Sequence, residues 1–279
     1  MNPTTPTAPD LSTRPIGVFD SGIGGLTVAR AVARVLPHER LVYFGDTAHL
    51  PYGDKSTAAI QAYAVKICDL LLRQQCKVIL IACNSASAAA YELVREYVGS
   101  KAQVLNVIDP IVAHVGQQYA GRVVGLIGTK QTVNSNVYKK KVDDLDAGVD
   151  LRSLATPLLA PMIEEGFFND TIAGNVIETY LSNPALEGVE ALVLACTHYP
   201  LIKDQIAEFY QGRTEVLDAS DVVAQHVRQY LESRQLLAAA APTPPRHHFY
   251  VSDFTRSFEE STRIFFGQEV NLEHYPLWE

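Results

Sequence analysis

Short runs rich in Val, Ile and Leu alternate along this chain with longer segments that carry a helical pattern of apolar residues. This alternation is typical of βαβ units, in which helices connect the buried strands of a parallel sheet. The predicted strands are Ile16 to Phe19, Leu41 to Phe44, Val78 to Ala82, Val104 to Ile108, Val123 to Ile127, Leu151 to Ala155, Ala191 to Ala195, Val216 to Asp218 and His248 to Val251. The helical patterns cover Leu26 to Leu36, Thr57 to Gln75, Ser87 to Tyr97, Asn134 to Leu145 and Thr171 to Leu181. The sequence therefore predicts an α/β fold with mainly parallel sheets.

Polar residues follow three of the predicted strands in each half of the chain. They are Asp20, Thr47 and Cys83 in the first half and Thr129, Thr156 and Cys196 in the second. In both sets the second residue follows the first by 27 positions, and the third follows the first by 63 positions in one set and 67 in the other. Similar βα lengths can produce such a match by chance, but we favour an internal duplication. It predicts two similar, pseudo-symmetric α/β halves with a shared cleft at their strand C-termini, where open parallel sheets bind ligands.

This duplication suggests a division of the chain into domains. Residues 1–13 form a Pro/Thr-rich segment that we predict to be a disordered tail. Residues 14–110 together with 222–279 form the first predicted α/β domain, and residues 111–221 form the second. Leu236 to His248 is an Ala/Pro-rich linker, and the strand and helix that follow it, around Phe254 to Phe266, are expected to pack back on one of the halves.

Composition and charge exclude several classes of protein. Hydrophobic residues make up 47% of the chain, yet no run reaches the 18 apolar residues of a transmembrane helix. The N-terminus lacks the basic and apolar regions of a signal peptide, so we expect a cytoplasmic protein without a membrane partner. A net charge of −8 argues against nucleic acid as the main partner. The four cysteines form no CxxC pair, which fits free thiols in a reducing compartment.

A glycine-rich turn, "DSGIGGLTV", follows the first predicted strand. Its N–H groups and the helix that follows it resemble an anion cradle. Position 27 is Thr where a dinucleotide fingerprint would need glycine, and no P-loop lysine follows. A small carboxylate is therefore a better candidate ligand than a nucleotide, and a tight connection without a ligand is the alternative.

Two of the cysteines occupy unusual positions. Cys68 and Cys76 lie on or near a helix and are interpreted as small buried hydrophobic residues. Cys83 and Cys196 each end an apolar strand and begin a turn into a helix, as in "LIACNSASAAA" and "LVLACTHYPLI". The N–H groups and the dipole of such a helix are expected to lower the pKa of the thiol. Because there is one such cysteine in each half, we predict that the two face each other across the cleft.

Three chemistries could use this pair of thiols. A metal site would combine Cys83, Cys196 and His198 with Asp20, but the spacing is not a strong zinc pattern. A hydrolase with a Cys nucleophile and a His partner would leave the second thiol unexplained. The third chemistry inverts a stereocentre: a thiolate removes a proton from one face of a carbon and a thiol supplies one to the other face.

Longer motifs resemble those of a known family. The segments "IGVFDSGIGGLTV", "YFGDTAHLPYGDKS", "ACNSASA", "IGTKQTVNS" and "ACTHYPLI" are similar to glutamate racemases, cofactor-independent enzymes that make D-glutamate for bacterial peptidoglycan. The resemblance runs from about Arg14 to Phe266. It implies that the chain is an amino-acid racemase that interconverts L- and D-glutamate without a cofactor or a metal. Oligomeric state varies within the family, and a homodimer is one of the states it allows.

The resemblance also implies the site residues. Cys83 and Cys196 would be the two acid/base residues, assisted by Asp20, His198 and a glutamate that Glu164 matches better than Glu165. The implied substrate contacts are Asp20, Ser21, Pro51, Tyr52, Gly53, Asn84, Ser85, Thr129, Thr132, Thr197 and His198. Ser85 stands where threonine is common in the family, and it keeps the hydroxyl group.

The residues themselves are compatible with this chemistry. Glutamate carries two carboxylates and an ammonium group, and the hydroxyl groups of the predicted contacts supply neutral donors. No lysine follows a strand in a way that suggests a pyridoxal Schiff base, so we expect no cofactor and no metal. Two alternatives remain: a racemase for aspartate or another acidic amino acid, and a non-catalytic module that binds an amino acid or a protein.

Overall fold

The computed structural model of the protein describes residues 10–168, 170–254 and 262–279. The strands are β1 (Ile16–Asp20), β2 (Leu41–Gly45), β3 (Val78–Ile81), β4 (Gln103–Asn106), β5 (Val123–Gly128), β6 (Asp150–Ala155), β7 (Ala191–Ala195), β8 (Glu215–Asp218), β9 (His248–Val251) and β10 (Leu272–His274). The helices are α1 (Leu26–Val35), α2 (Thr57–Arg73), α3 (Asn84–Val98), α4 (Ile108–Gln118), α5 (Lys130–Asn134), α6 (Val137–Asp143), α7 (Leu159–Glu164), α8 (Thr171–Leu181), α9 (Lys203–Tyr210) and α10 (Ala219–Ser233). In these described ranges, no helix combines the length and the apolar character needed to span a membrane.

The strands form two parallel sheets, which confirms the predicted fold class. One sheet has the order β10-β9-β2-β1-β3-β4, and the other has the order β6-β5-β7-β8. The order β2-β1-β3-β4 is therefore repeated as β6-β5-β7-β8, as an internal duplication requires. All nine predicted strands are present, with ends shifted by at most two residues, whereas the short strand β10 was not predicted.

Continuous burial explains why the strands could be predicted from the sequence. Every residue of β1, β2, β3 and β7 is buried, because helices cover both faces of the sheets. The carboxyl ends of parallel strands lie at one edge of a sheet, so β3 and β7 bring Cys83 and Cys196 to equivalent positions in the two sheets.

The predicted domain boundaries can be located on the strands and helices of the structure. Strands β9 and β10 join the first sheet, as expected for residues 222–279. The boundaries predicted after residues 110 and 221 fall inside α4 and α10, so the chain crosses between the sheets within helices and not within loops. The division itself stays a prediction.

The prediction of a disordered tail over residues 1–13 is wrong for the last residues of this segment. Residues 1–9 lie outside the described residues, but Leu11–Thr13 form a 3-10 helix in which Asp10 accepts a hydrogen bond from the Ser12 backbone N–H at 2.9 Å. The carbonyl of Ser12 also accepts a hydrogen bond from the buried Lys77 ammonium at 2.7 Å. This long-range contact holds the segment, and composition alone cannot reveal it. The predicted helix around Phe254 to Phe266 lies largely outside the described residues, although residues 262–266 are helical.

Candidate active site

Cys83 is the N-cap residue of α3 and lies two positions after the last residue of β3. The Ala86 backbone N–H donates to its sulfur at 3.4 Å, and the thiol donates to Ser21 Oγ at 3.6 Å. Burial and the nearby Asp20 carboxylate raise the pKa of the Cys83 thiol to about 12. The expected lowering of this pKa by the helix is therefore wrong for Cys83, because desolvation outweighs the hydrogen bonds that α3 supplies. The surroundings of Cys83 therefore favour the neutral thiol over the thiolate.

Cys196 follows β7 and has a different partner. Its sulfur lies 3.7 Å from Nδ1 of His198, and Nε2 of the same ring lies 2.9 Å from Glu164 Oε1. This Nε2 contact is at ion-pair distance but outside hydrogen-bond angles. Burial favours the neutral ring, but the Cys196 sulfur and the Glu164 carboxylate outweigh it and raise the pKa of His198 well above its usual value. A protonated His198 stabilises negative charge on Cys196 by direct attraction.

Asp20 ends β1 and is completely buried. Its Oδ2 accepts hydrogen bonds from the backbone N–H groups of Gly22 at 3.2 Å and Gly25 at 3.0 Å. These bonds and His198 favour the carboxylate, but burial has the larger effect and raises the pKa of Asp20. The predicted anion cradle is thus partly wrong: at Gly22 and Gly25 the turn binds a carboxylate of the chain itself. Oδ1 of Asp20 has no hydrogen-bond partner among the described residues.

A small cavity of about 30 Å³ lies between the carboxyl ends of the two sheets and contains both cysteines in its wall. The predicted site residues that line it are Ser21, Pro51, Tyr52, Gly53, Cys83, Asn84, Ser85, Thr129, Cys196, Thr197 and His198. Three other predicted residues, Asp20, Thr132 and Glu164, do not line the cavity but contact the lining residues Ser21, Ser85 and His198, respectively. Ala160 and Ala195 complete the lining. Ala160 could not be predicted as a site residue, because an alanine side chain has no functional group to recognise.

Polar contacts connect the two halves around the cavity. Ser85 Oγ, on the first half, lies 2.9 Å from Thr129 Oγ1, on the second, and Thr129 donates to Thr132 Oγ1 at 3.1 Å. The Tyr138 hydroxyl donates to Asn84 Oδ1 at 2.7 Å, which leaves the amide N–H₂ of Asn84 as its donor group. Tyr138 was not predicted, because the two residues are 54 positions apart.

The glycine-rich turn packs directly against the second half. Thr27 Oγ1 donates to the Thr197 carbonyl at 3.1 Å. A Cβ atom at Gly24 would lie 2.6 Å from His198 Nδ1 and 2.7 Å from Thr197 Oγ1, distances that side-chain carbons do not tolerate. Glycine at position 24 is therefore required by the close approach of the two halves beside His198.

Gly24→Ala is expected to lower activity about 10- to 100-fold, because the methyl group must displace the His198 ring and so disturb its 3.7 Å contact with the Cys196 sulfur. The measurement is kcat/KM for racemisation of glutamate, with folding checked by circular dichroism. Gly174→Ala is the matched control: a Cβ atom there meets nothing within 4 Å, and the residue lies in α8. Full activity of Gly24→Ala would show that the ring position is not critical.

The described part of the chain contains no group of three or more His, Cys, Asp or Glu side chains arranged to hold a metal ion. Glu164 and His198 contact each other on the Cys196 side of the cavity. Their arrangement suits proton transfer by the neighbouring thiol.

Comparisons with known proteins agree with this geometry. The family model Asp/Glu/Hydantoin racemase matches residues 26–227. A glutamate racemase of Chlorobaculum parvum is 39% identical over 262 residues, which are 93% of this chain and 94% of that protein. The crystal structure of glutamate racemase from Francisella tularensis in complex with D-glutamate matches with a TM-score of 0.89 and 37% identity, covering 96% of this chain and 99% of that one.

A second solved structure gives the same result. Glutamate racemase from Thermus thermophilus, in complex with beta-chloro-D-alanine, matches with a TM-score of 0.82 and 38% identity, covering 95% of this chain and 97% of that one. The resemblance of the sequence motifs is thereby confirmed over nearly the whole length of the chain. The chain belongs to the Asp/Glu/Hydantoin racemase family.

Proposed function

We propose that this protein interconverts L- and D-glutamate by proton transfer at the α-carbon between two cysteines. The observation that carries the proposal is the pair Cys83 and Cys196, which come from equivalent strand ends of the two halves and line one cavity. Relatives named glutamate racemase, one of them solved with D-glutamate, support the choice of substrate. A module that only binds an amino acid has no use for two such thiols.

In each direction of the reaction one cysteine acts as a thiolate base and the other as a thiol acid. Nδ1 of His198 lies 3.7 Å from the Cys196 sulfur and can stabilise negative charge there, whereas burial and Asp20 raise the pKa of the Cys83 thiol. The Cys196 thiolate removes the α-proton of one enantiomer and becomes a thiol, while Cys83 delivers its proton to the opposite face of the carbanion and becomes a thiolate. The opposite enantiomer reacts by the reverse sequence. Proton exchange with water after product release restores the starting state.

Glu164 assists through His198. Its carboxylate lies 2.9 Å from the ring Nε2 and so stabilises the imidazolium that faces Cys196. Asp20 would act on the other side, where its buried carboxyl group influences Cys83. Each thiol therefore has its own acidic partner. Glu164 acts on Cys196 through His198, whereas Asp20 acts on Cys83 without a histidine between them.

Neutral donors in the cavity wall suit the two carboxylates of glutamate. Hydroxyl groups come from Ser21, Ser85, Thr129 and Thr197, and Asn84 and Ser85, which line the cavity, begin α3. Donors that are fixed before substrate binds stabilise the negative charge that develops as the α-proton leaves. The proposed reaction requires no cofactor and no metal.

The wider role follows from the family. We propose that D-glutamate made in the cytoplasm by this protein enters peptidoglycan synthesis and that the protein works on a free small-molecule substrate. A homodimer is one assembly we propose to test, by light scattering at several protein concentrations.

Racemisation in D₂O tests the proposed function. Conversion from either enantiomer, followed by chiral chromatography and mass spectrometry, is expected to place deuterium on the α-carbon of the product while the remaining substrate stays protiated early in the reaction. This follows because the thiol that protonates the product has exchanged with solvent, whereas the thiol that took the substrate proton keeps it.

Four other results would contradict the proposal. Equal early labelling of substrate and product would indicate a single base. Turnover of aspartate without turnover of glutamate would show that aspartate is the substrate. Loss of activity with a chelator, restored by zinc, would make the thiols metal ligands. Binding of glutamate without turnover would leave only a binding module.

A further inference from the structure

A buried carboxylate that the proposed reaction does not use lies beside the cavity. Asp46 follows β2 and is completely buried, and its backbone N–H donates to the Asp20 carbonyl at 3.0 Å. Its side chain accepts hydrogen bonds from four donors on three separate segments. They are Tyr52 Oη at 2.6 Å, Ser252 Oγ at 2.8 Å, Trp278 Nε1 at 2.8 Å and His49 Nδ1 at 3.0 Å.

The donors divide between the two carboxylate oxygens. Trp278 and Ser252 donate to Oδ1, whereas Tyr52 donates to Oδ2, and His49 lies within 3.1 Å of both. Two donors on Oδ1 fix the rotation of the carboxylate, so Oδ2 stays directed at the Tyr52 hydroxyl. A hydrogen bond to a charged acceptor is among the stronger ones in proteins, which makes this orientation hard to lose while the donors remain.

Tyr52 carries this constraint into the cavity wall. It is 1% exposed, and together with its neighbours Pro51 and Gly53 it lines the cavity that contains Cys83. Gly53 packs so tightly against the second half that a Cβ atom there would lie 2.9 Å from Thr129 Cβ. A small displacement of Tyr52 therefore changes the width of the cavity. It also changes the packing of the neighbouring Gly53 against Thr129.

Trp278 is itself held in a defined position. Its ring meets His49 edge-on at 4.5 Å and Tyr63 at 5.5 Å between ring centroids, and the Lys66 ammonium lies 4.7 Å above it. The preceding residue, Leu277, is buried in the core of the first half. Trp278 therefore packs by its ring and donates by its N–H, and the two roles can be separated by substitution.

We propose that Trp278 is a positioning residue of the active site, which acts through Asp46 and Tyr52 to hold the wall formed by residues 51–53 at the width that glutamate needs. The inference rests on the proposed function for the identity of the ligand. Without the indole N–H, Oδ1 keeps only Ser252 and the longer contact with His49. The carboxylate is then held less firmly, and the position of the acceptor for the Tyr52 hydroxyl is less well fixed. The thiols lie on other elements, so binding should suffer more than proton transfer.

Trp278→Phe tests this because it keeps an aromatic ring and removes the donor. We expect the KM for glutamate to rise about tenfold and kcat to change by less than about threefold. Tyr52→Phe should raise KM by a similar factor, and the double variant should be no worse than Tyr52→Phe alone, since both changes break one connected chain of contacts. Tyr275→Phe is the matched control: it alters a nearby aromatic that packs on Phe44 and Tyr250, and its KM should stay unchanged.

Calorimetric titration with D-glutamate separates this inference from the proposed function. Weaker binding by Trp278→Phe in a protein that does not racemise glutamate would uphold the positioning role and overturn the reaction. Racemisation by the unmodified protein together with unchanged affinity and KM in Trp278→Phe would uphold the reaction and overturn the positioning role. Effects of Trp278→Phe and Tyr52→Phe that simply add would also overturn it, as would a KM rise in Tyr275→Phe of the same size.

Discussion

Replacing Cys83 or Cys196 with alanine is expected to lower glutamate racemisation about 10⁴-fold in both directions. Inversion needs a base on one face of the α-carbon and an acid on the other, and each thiol serves one face, so neither can substitute for the other. The loss must be equal in the two directions, because enantiomers have equal free energies in water and the ratio of the two kcat/KM values is therefore fixed at one. Polarimetric assays started from each enantiomer measure both values.

Each single-cysteine variant keeps a partial reaction. In D₂O the remaining thiol can remove and return a proton on the face it meets, so the enantiomer that presents its α-hydrogen to that thiol should exchange hydrogen without inverting. The two variants should then label opposite enantiomers. Exchange of both enantiomers by one variant would contradict an assignment of one thiol to each face.

The other two cysteines provide the controls. Cys68 and Cys76 are buried in the core of the first half, away from the cavity wall, and burial raises the pKa of Cys76 to about 12. Cys68→Ala and Cys76→Ala should keep near-normal turnover and lose only about 1 kcal/mol of stability from the small cavity that each leaves. Substantial activity in Cys83→Ala, measured beside these controls, would overturn the two-thiol mechanism.

Much of the fold was predictable because the signals are local. A parallel strand buried on both faces is a continuous apolar run, and the residue after it lies at the ligand-binding edge of the sheet. Cys83 and Cys196 could be recognised as a pair from their positions after β3 and β7 alone. Strand β10 has only three residues and no such run. It pairs with β9, which lies about 20 positions earlier in the chain, and no local pattern in the sequence indicates that pairing.

The parts of the site that were missed depend on contacts between distant positions. Ser252 and Trp278 donate to Asp46 across 206 and 232 positions, and no periodicity or spacing pairs such residues. The pKa values were equally inaccessible. Helix position suggested a low pKa for the Cys83 thiol, but the degree of burial, which only the packed structure defines, reverses the direction.

Asp20→Asn is expected to lower kcat/KM about 10²- to 10³-fold and yet stabilise the fold at neutral pH. The activity loss follows if Asp20 assists Cys83, because the amide cannot accept or hold a proton for the thiol. The gain in stability follows from burial: Asp20 is completely buried and its pKa is raised, so the folded protein must hold a carboxylate where a neutral group is favoured. Asparagine keeps a carbonyl oxygen that can accept from Gly22 and Gly25.

The pH dependence distinguishes this explanation from a simple packing effect. The pKa of Asp20 in the folded protein lies above its usual value of 3.8, so the carboxyl group binds its proton more tightly in the folded state than in the unfolded state. The free energy of unfolding that this group contributes is complete below 3.8 and is lost as pH rises through the folded pKa. The melting temperature of Asp20→Asn should therefore exceed that of the unmodified protein by an amount that is small near pH 4, grows with pH and then becomes constant. The exposed Asp144→Asn should show no such trend, and a difference for Asp20→Asn that shrinks as pH rises would show that the buried carboxylate is favoured by its surroundings.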